Sequence, residues 1–381
     1  MNFAARVERV EPSATLAVSN LAKRLEADGI DVVDLSVGEP DFDTPEHIKE
    51  AARRALDAGE TGYTPSNGIP ALRSAIAEKL RDDGLAYESG NVVVTPGAKQ
   101  ALFETFQALV DDGDEVVLLD PAWVSYEAMA KIAGADLNRV DLRPTDFQLE
   151  PALDRLGEAV SDETALMVLN SPNNPSGAVY SRAAFEGVRD LAIEHDVMVI
   201  ADEIYQHINY GPPHVSPGTL DGMDDRTVTI NGFSKAYAMT GWRLGYLAAP
   251  DAVVDQVGKV QSHSVSSAVN FVQHAALEAL EGSTEPIEDM VSAFDDRREL
   301  LVDLLDDTGV DVTPPEGAFY LMLPVDDDDQ TWCTEALEEA HVATVPGSAF
   351  GAPGYARVSY AASTERLTEA VERLSSAGFL G

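Results

Sequence analysis

The chain has one cysteine, Cys333, in 381 residues. A lone thiol closes no internal disulfide and builds no thiolate metal cluster, so a reducing compartment is the expectation. No apolar run approaches the roughly 20 residues of a membrane span. The opening MNFAARVERVEPS lacks a signal-peptide core, which makes the cytoplasm the expected location. Positive charge is scarce as well: 26 lysines and arginines face 66 acids, a net charge of −40. That balance excludes nucleic acid as a partner. The acids are spread along the whole chain, with only a short run at Asp326–Asp329, so an acidic surface is expected everywhere. Self-repulsion on that scale disfavours a compact state in dilute buffer. Molar salt, with a Debye length of about 3 Å, screens most of it. A halophilic cytoplasm accounts for this composition better than a cationic partner does.

Lysine is the scarcer base, with seven against nineteen arginines. One of the seven, Lys235, stands in NGFSKAYAMTGWRLG, residues 231–245, with Arg243 eight residues on. A turn of small residues offers a lysine no helix face on which to be solvated, so the position asks for a role.

What is abundant is an alternation of strand and helix signals. Thr44-Pro45-Glu46 predicts an N-cap, an N1 proline and a first-turn acid, followed by an apolar face of Ile48, Ala51, Ala52, Ala55 and Leu56. Leu72, Ile76 and Leu80 repeat the pattern. Short, almost wholly apolar runs predict strands buried on both faces: VVVTPG (92–97), EVVLLDP (115–121), ALMVLNSP (165–172), VMVIADE (197–203), TVTING (227–232) and GYLAAP (245–250). Such strands separated by helices imply a largely parallel α/β sheet. Past residue 280 the rhythm changes to a long polar helix (285–308) and then AFYLMLP, VATVPG and ARVSYA with helices between. The expected organisation is a segment 1–45 joining the small domain, a large domain 46–284 with a mostly parallel sheet flanked by helices, and a smaller α+β domain 285–381.

Ligands of open α/β sheets bind outside the carboxyl ends of the strands. The unusual polar residues stand there: Gly97-Ala98-Lys99, Trp123, Asn173-Asn174, Asp202 with Tyr205, and Lys235 each follow a predicted strand. Singly these are ordinary, because strand-end loops are rich in Asn, Gly and Asp. Five converging on one crevice are not. VVVTPGAKQALFETF is a strand, a Gly-containing turn and a helix, whose first N–H groups can hold an anion. Arg243 can add the bidentate charge a phosphate wants. A pyridoxal phosphate site further needs a lysine for a Schiff base, a carboxylate on the pyridinium nitrogen and a stacking ring. Lys235, Asp202 and Trp123 supply all three.

At this point the sequence resembles the fold-type I pyridoxal-phosphate enzymes and, among them, the class I aminotransferases of the bacterial and archaeal aspartate aminotransferase subgroup. PSATLAV, LSVGEPDFDTPEHI, GYTPSNGIPALR, GAKQALF, PAWVSY, NSPNNPSGAVY, ADEIYQHI, SKAYAMTGWRLGY, EGAFYLML, VPGSAFG and ARVSYA carry the resemblance over nearly the whole chain. It implies pyridoxal 5'-phosphate as cofactor, an amino acid and a 2-oxo acid as substrates, and a task for each position. Lys235 would carry the cofactor and shuttle the proton at the substrate Cα. Asp202 would keep the ring nitrogen protonated. Tyr205 and Asn174 would hydrogen-bond the ring oxygen, and Trp123 would stack on the ring. Arg243 and the backbone at Ala98 and Lys99 would hold the phosphate. Tyr63 would reach the phosphate of a second subunit, which implies a homodimer. Arg357 would clamp the α-carboxylate with help from Asn174 and the Gly38 backbone. Many relatives carry a serine where this chain has Gly232; Ser234 is the nearby hydroxyl. Tyr237, where phenylalanine is common, receives no role.

For the substrate, the resemblance puts Lys99, Ser13 and Thr15 on the distal carboxylate of an acidic amino donor. A cation at a helix start works against the helix dipole, which favours a ligand role for Lys99 over a solvated surface one. Relatives that also take prephenate tend to carry a base just before PSAT; Glu11 here weighs against that. Another specificity on the same scaffold, an aromatic aminotransferase or a carbon–sulfur lyase, stays open, because fold does not fix function.

Overall fold

The computed structural model describes residues 3–12, 14–325 and 328–380. In chain order the strands are β1 (Val33–Asp34), β2 (Val92–Thr95), β3 (Glu115–Asp120), β4 (Asp136–Asp141), β5 (Thr164–Asn170), β6 (Met198–Asp202), β7 (Thr227–Gly232), β8 (Gly245–Ala248), β9 (Tyr320–Pro324), β10 (Val342–Ala343), β11 (Val345–Pro346) and β12 (Tyr355–Ser359). Among the described residues they form a seven-stranded sheet in the order β2-β8-β7-β6-β5-β3-β4, a three-stranded sheet β11-β12-β9 and the pair β1-β10. In the large sheet only β8 runs antiparallel to its neighbours β2 and β7; the other pairs are parallel. The chain is an α/β protein.

The apolar strands are buried on both faces because helices cover both. Val93, Val116, Leu118, Leu166 and Val168 face one layer with Leu102 and Phe106 of the helix Ala98–Leu109. Their alternate neighbours Val117, Leu119, Met167 and Leu169 face another layer with Phe185 and Val188 of the helix Arg182–Glu194. Leu72, Ile76 and Leu80 are wholly buried beside Val92 and Val94. A side chain so enclosed contributes roughly 1.5–3 kcal/mol over leaving it exposed. Beyond the large sheet, the helix Glu285–Asp307 packs Met290, Phe294, Leu301 and Leu305 onto β9 and β12. The early strand β1 pairs in parallel with β10, Val33 opposite Val342.

Two local expectations change, and one strand of the large sheet lies outside the predicted runs. Thr44 does not cap the following helix, which begins at Glu46 after Pro45. Its hydroxyl instead donates to the Ala238 carbonyl at 2.6 Å and accepts from Trp242 Nε1 at 3.0 Å, which ties the N-terminal segment to the Lys235 turn. Leu56 is 45% exposed. The apolar stripe of that helix is Ile48, Ala52 and its alanine neighbours, covered by Ala275, Ala276 and Ala279 of the helix Asn270–Glu281. The strand outside the predicted runs is β4, DLNRVD, which has no apolar run. It is an edge strand with only Val140 buried. Arg139 fixes it with a fork onto Asp120 of β3, Nε–Oδ2 2.7 Å and Nη2–Oδ1 2.6 Å. No helix of the described residues is long and apolar enough to cross a membrane.

Candidate active site

The carboxyl ends of β2, β3, β5, β6 and β7 open into one cavity of about 660 Å³, within the usual range for small-ligand sites. The segment Ser36–Glu39, the helix Ala14–Ala27 and β12 close its other sides. Of the residues expected in a site, Thr15, Gly38, Ala98, Lys99, Trp123, Asn174, Asp202, Tyr205, Ser234, Lys235, Arg243 and Arg357 all line it. Tyr63 does not: it lies outside the lining and is 94% exposed. Ser13 lies outside the described residues.

Lys235 sits in the turn after β7, with no helix around it. Its ammonium donates to the Gly38 carbonyl and lies 5.5 Å from the centre of the Tyr205 ring. Enclosure pushes its pKa down to about 8; Arg357 adds to the shift, and Glu39 and Asp202 partly oppose it. A neutral amine is therefore accessible near physiological pH, which a nucleophilic lysine needs.

Asp202 ends β6 and is 3% exposed. Burial raises its pKa to about 6, although two donors pull it down. They are the Tyr126 hydroxyl, 2.6 Å from Oδ2, and the Ile204 amide, 3.2 Å from Oδ1. Asn170, at the end of β5, donates to the Asp202 carbonyl at 2.9 Å and accepts from the Asn174 amide at 2.8 Å, so the ends of two strands and the NNPSG turn are fixed to one another. The Tyr205 hydroxyl is 2.9 Å from that of Tyr320. Burial holds the Tyr205 phenol well above its ordinary pKa, so it remains a donor.

Arg357, on β12, is 3% exposed. Its Nη2 donates to the Ser36 carbonyl at 2.6 Å and Nη1 to Asn174 Oδ1 at 3.2 Å. The guanidinium lies 4.5 Å from the Tyr320 ring centre and 5.1 Å from that of Phe350. Its Nε has no partner among the described residues. A buried guanidinium with a donor to spare, close to two aromatic rings, is built to receive a planar anion.

At the other end, Gly97 adopts φ +93° and the helix Ala98–Leu109 starts after it. The first amides of a helix have no partner inside it. A Cβ on Gly245 would fall 2.3 Å from the Ala98 nitrogen, and one on Gly97 would fall 2.7 Å from Arg243 Nη2. Two backbones and a guanidinium thus meet where only glycine fits. Arg243 reaches the spot from a left-handed backbone, φ +56°, with Nη1 donating to the Thr240 carbonyl at 2.9 Å. Gly232 has its own reason to lack a side chain: a Cβ there would lie 2.9 Å from the Gly245 Cα. Trp123 is half-buried, edge-on to Tyr126 at 5.4 Å, with the Lys99 ammonium 4.6 Å from its ring centre. Lys99 as a residue is exposed, but the crowding of its ammonium, and then Arg243, lower its pKa.

The cavity's charge opposes that of the chain. Lys23, Lys99, Lys235, Arg243 and Arg357 line it against two carboxylates, Glu39 and Asp202. In a chain of net charge −40, this is a site for multiply anionic ligands. Sequence reasoning gave Tyr126, Tyr320, Asn170 and Lys23 no role. Tyr126 was legible in principle, one helical turn beyond Trp123 and so on the same side; the others carried no local signal.

A cofactor with a phosphate, a protonatable ring nitrogen and an electrophilic carbon fits these donors. The phosphate finds the glycine cradle and Arg243, the ring nitrogen finds buried Asp202, and the carbon finds the depressed Lys235 amine.

Comparison with known proteins agrees. The family model for aminotransferase class I and II matches residues 30–374. The chain is 45% identical to the aspartate/prephenate aminotransferase of Thermus thermophilus over 377 residues, 97% of each chain. It is 42% identical to the aspartate aminotransferase of Geobacillus stearothermophilus over 388 residues, 98% of each. The structure of the Thermus thermophilus aspartate aminotransferase with maleate superposes with a TM-score of 0.95 at 44% identity, covering 99% of this chain and 100% of the other. The chain belongs to the class I and II aminotransferases, which work with pyridoxal 5'-phosphate.

Proposed function

We propose that this aminotransferase moves the amino group of an acidic amino acid, aspartate first, to a 2-oxo acid, 2-oxoglutarate first. The observation that carries this reading is the excess of cationic side chains in the cavity, with Arg357 and Lys99 available for two carboxylates. The relatives named for aspartate, and the solved neighbour with the dicarboxylate maleate, point the same way.

In this reading each side chain has one task. Arg357 takes the α-carboxylate through its spare Nε and outer N–H groups. Asn174 and the Ser36 carbonyl hold the guanidinium in the plane that makes this a fork rather than a point contact. Lys99 meets the distal carboxylate near the Trp123 face, with Thr15 beside it. Bound at this site, pyridoxal phosphate supplies an electrophilic carbon for the amine and a ring that accepts the electrons of the Cα–H bond. Asp202 keeps a negative charge facing the ring nitrogen, and Tyr126 holds that carboxylate in place. Tyr205 donates its hydroxyl proton toward the ring oxygen. Lys235 is the base: with a pKa of about 8 it can take the proton from Cα and return it to the neighbouring carbon. Ser234 and Arg243 complete the phosphate site.

Tyr63, exposed and away from this cavity, suits a contact with a second copy, so the working form is read as a homodimer in a salt-rich cytoplasm. The test is a coupled assay of amino donors with 2-oxoglutarate in molar salt. Aspartate should give the highest kcat/KM of the panel; a neutral or aromatic donor above aspartate would refute the specificity.

A further inference from the structure

Behind Asp202 stands a buried acid that the proposed mechanism leaves unused. Glu203 follows it directly and continues the ladder of β6, its amide donating to the Ile230 carbonyl of β7 at 2.8 Å. Along such a ladder successive side chains point to opposite faces. Asp202 faces the cavity and Tyr126 of the helix Val124–Ala133. Glu203 does not line the cavity. Its charge is felt instead by the phenols of Tyr87 and Tyr246, which lie in the layer of Leu72, Ile76 and Leu80.

Glu203 is 2% exposed, and neither carboxylate oxygen has a hydrogen-bond partner among the described residues. A buried carboxylate is strongly disfavoured unless it is paired. Among the described residues the one basic side chain at ion-pair distance is His214, its Nε2 3.4 Å from Glu203 Oε2. Both ring nitrogens of His214 are themselves buried and without hydrogen-bond partners. The other ionisable groups around the pair are accounted for. Tyr87 gives its hydroxyl proton to the Thr227 carbonyl at 3.0 Å, and burial keeps both Tyr87 and Tyr246 un-ionised. Burial, and then Lys79, lower the His207 pKa to about 4, so that ring is neutral. Lys79 and Asp83 pair with each other at 2.7 Å, and Asp224 is exposed. On the cavity side the ionisable neighbours of Asp202 are Tyr126, Tyr205 and Lys235.

We propose that Glu203 and His214 form a charge pair, carboxylate against imidazolium, that backs Asp202 and sets how firmly it keeps its charge toward the cofactor's ring nitrogen. Both are positioning residues, acting through Asp202. The inference rests on the proposed place of Asp202 at that nitrogen. Burial is the main cause that raises the Asp202 pKa to about 6, and the Glu203 charge adds to it. With the imidazolium present, the pair is neutral as a whole and the neighbouring anion is offset. Without the imidazolium, Asp202 stands beside an uncompensated anion; without the carboxylate, beside an uncompensated cation.

The experiment measures the dissociation constant of pyridoxal phosphate for the apoprotein by fluorescence, from about pH 5 to about pH 8. Molar salt is used throughout, because it screens surface charges far more than buried ones. At an effective dielectric constant of about 20, two buried charges one residue apart shift each other by about one pKa unit. Glu203→Gln should therefore move the acid midpoint of binding down by about one unit and tighten binding about fivefold near pH 5. His214→Gln should move the midpoint up by about one unit and weaken binding about tenfold there. The double variant should return to within about twofold of the parent. Glu203→Gln preserves shape, so its profile decides the matter even where His214→Gln does not fold. Shifts of the same sign in the two single variants, or a uniform loss at every pH, would assign the pair to packing and overturn the inference, as would profiles superimposed on the parent's. The underlying reading fails separately, by an Asp202→Asn variant that binds the cofactor with the parent's pH profile.

Discussion

Removing one oxygen from Tyr126 tests how the carboxylate of Asp202 is tuned. The Tyr126 hydroxyl donates to Asp202 Oδ2 at 2.6 Å, both groups being buried. Burial alone raises the Asp202 pKa and this hydrogen bond restrains it, leaving it at about 6. A hydrogen bond to a charged group is worth about 1.5–3 kcal/mol, and a pKa unit about 1.4 kcal/mol. Tyr126→Phe should therefore move the midpoint up by roughly one to two units while keeping the ring that packs on Trp123. The assay is the dissociation constant of pyridoxal phosphate for the apoprotein, by fluorescence, from about pH 5 to about pH 9. A protonated Asp202 offers no charge to a protonated ring nitrogen, so parent affinity should weaken as pH falls through about 6. In the variant the weakening should begin about one to two units higher, with binding roughly two- to tenfold poorer at neutral pH and near the parent value at the alkaline end. The same shift has a stability sign. Because the native pKa is raised, the folded apoprotein keeps a proton that the unfolded chain has lost between 3.8 and about 6. For this group, stability is thus highest at low pH and falls as pH rises to about 6. Superimposable pH profiles, or a uniform loss at every pH, would refute the tuning role.

Lys99→Gln should lower kcat/KM for aspartate about thirtyfold, the low end for losing one partner of a charge pair, because the residue is exposed. Phenylalanine should change little; a parallel fall of both donors would make Lys99 a support of the phosphate loop. Gly245→Ala would push a methyl to 2.3 Å from the Ala98 nitrogen, so cofactor affinity should fall far more than aspartate affinity in whatever holoenzyme forms, which two titrations can separate. In a salt series followed by circular dichroism and sedimentation, the folded assembly should be lost as ionic strength drops to the order of 0.1 M, where screening reaches only ~10 Å. Full stability in dilute buffer would mean that the acidic surface is tolerated without salt.

The large sheet was legible because burial on both faces writes itself as short apolar runs; all six of those predicted are strands. β4 was not, since an edge strand with polar residues on both sides is held by an ion pair whose partners, Arg139 and Asp120, are distant in sequence. The strand-end polar residues announced the site because a doubly wound sheet has one place to put them. Residues that act through others left no such mark. Tyr320 earns its place only by lying between Tyr205 and Arg357, a relation that no spacing encodes. Thr44 matched a helix-capping pattern yet spends its hydroxyl on the Lys235 turn; a local rule yielded to a tertiary contact.

The most direct test concerns Lys235. The purified protein is loaded with pyridoxal phosphate, reduced with borohydride and digested, and the cofactor mass is located by peptide mass spectrometry. With only seven lysines in the chain, the assignment is unambiguous. The account predicts one reduced cofactor per chain, on the peptide carrying Lys235, and its loss in Lys235→Ala. Label on Lys99, Lys23 or any other lysine in the parent, or no covalent label at all, would contradict it.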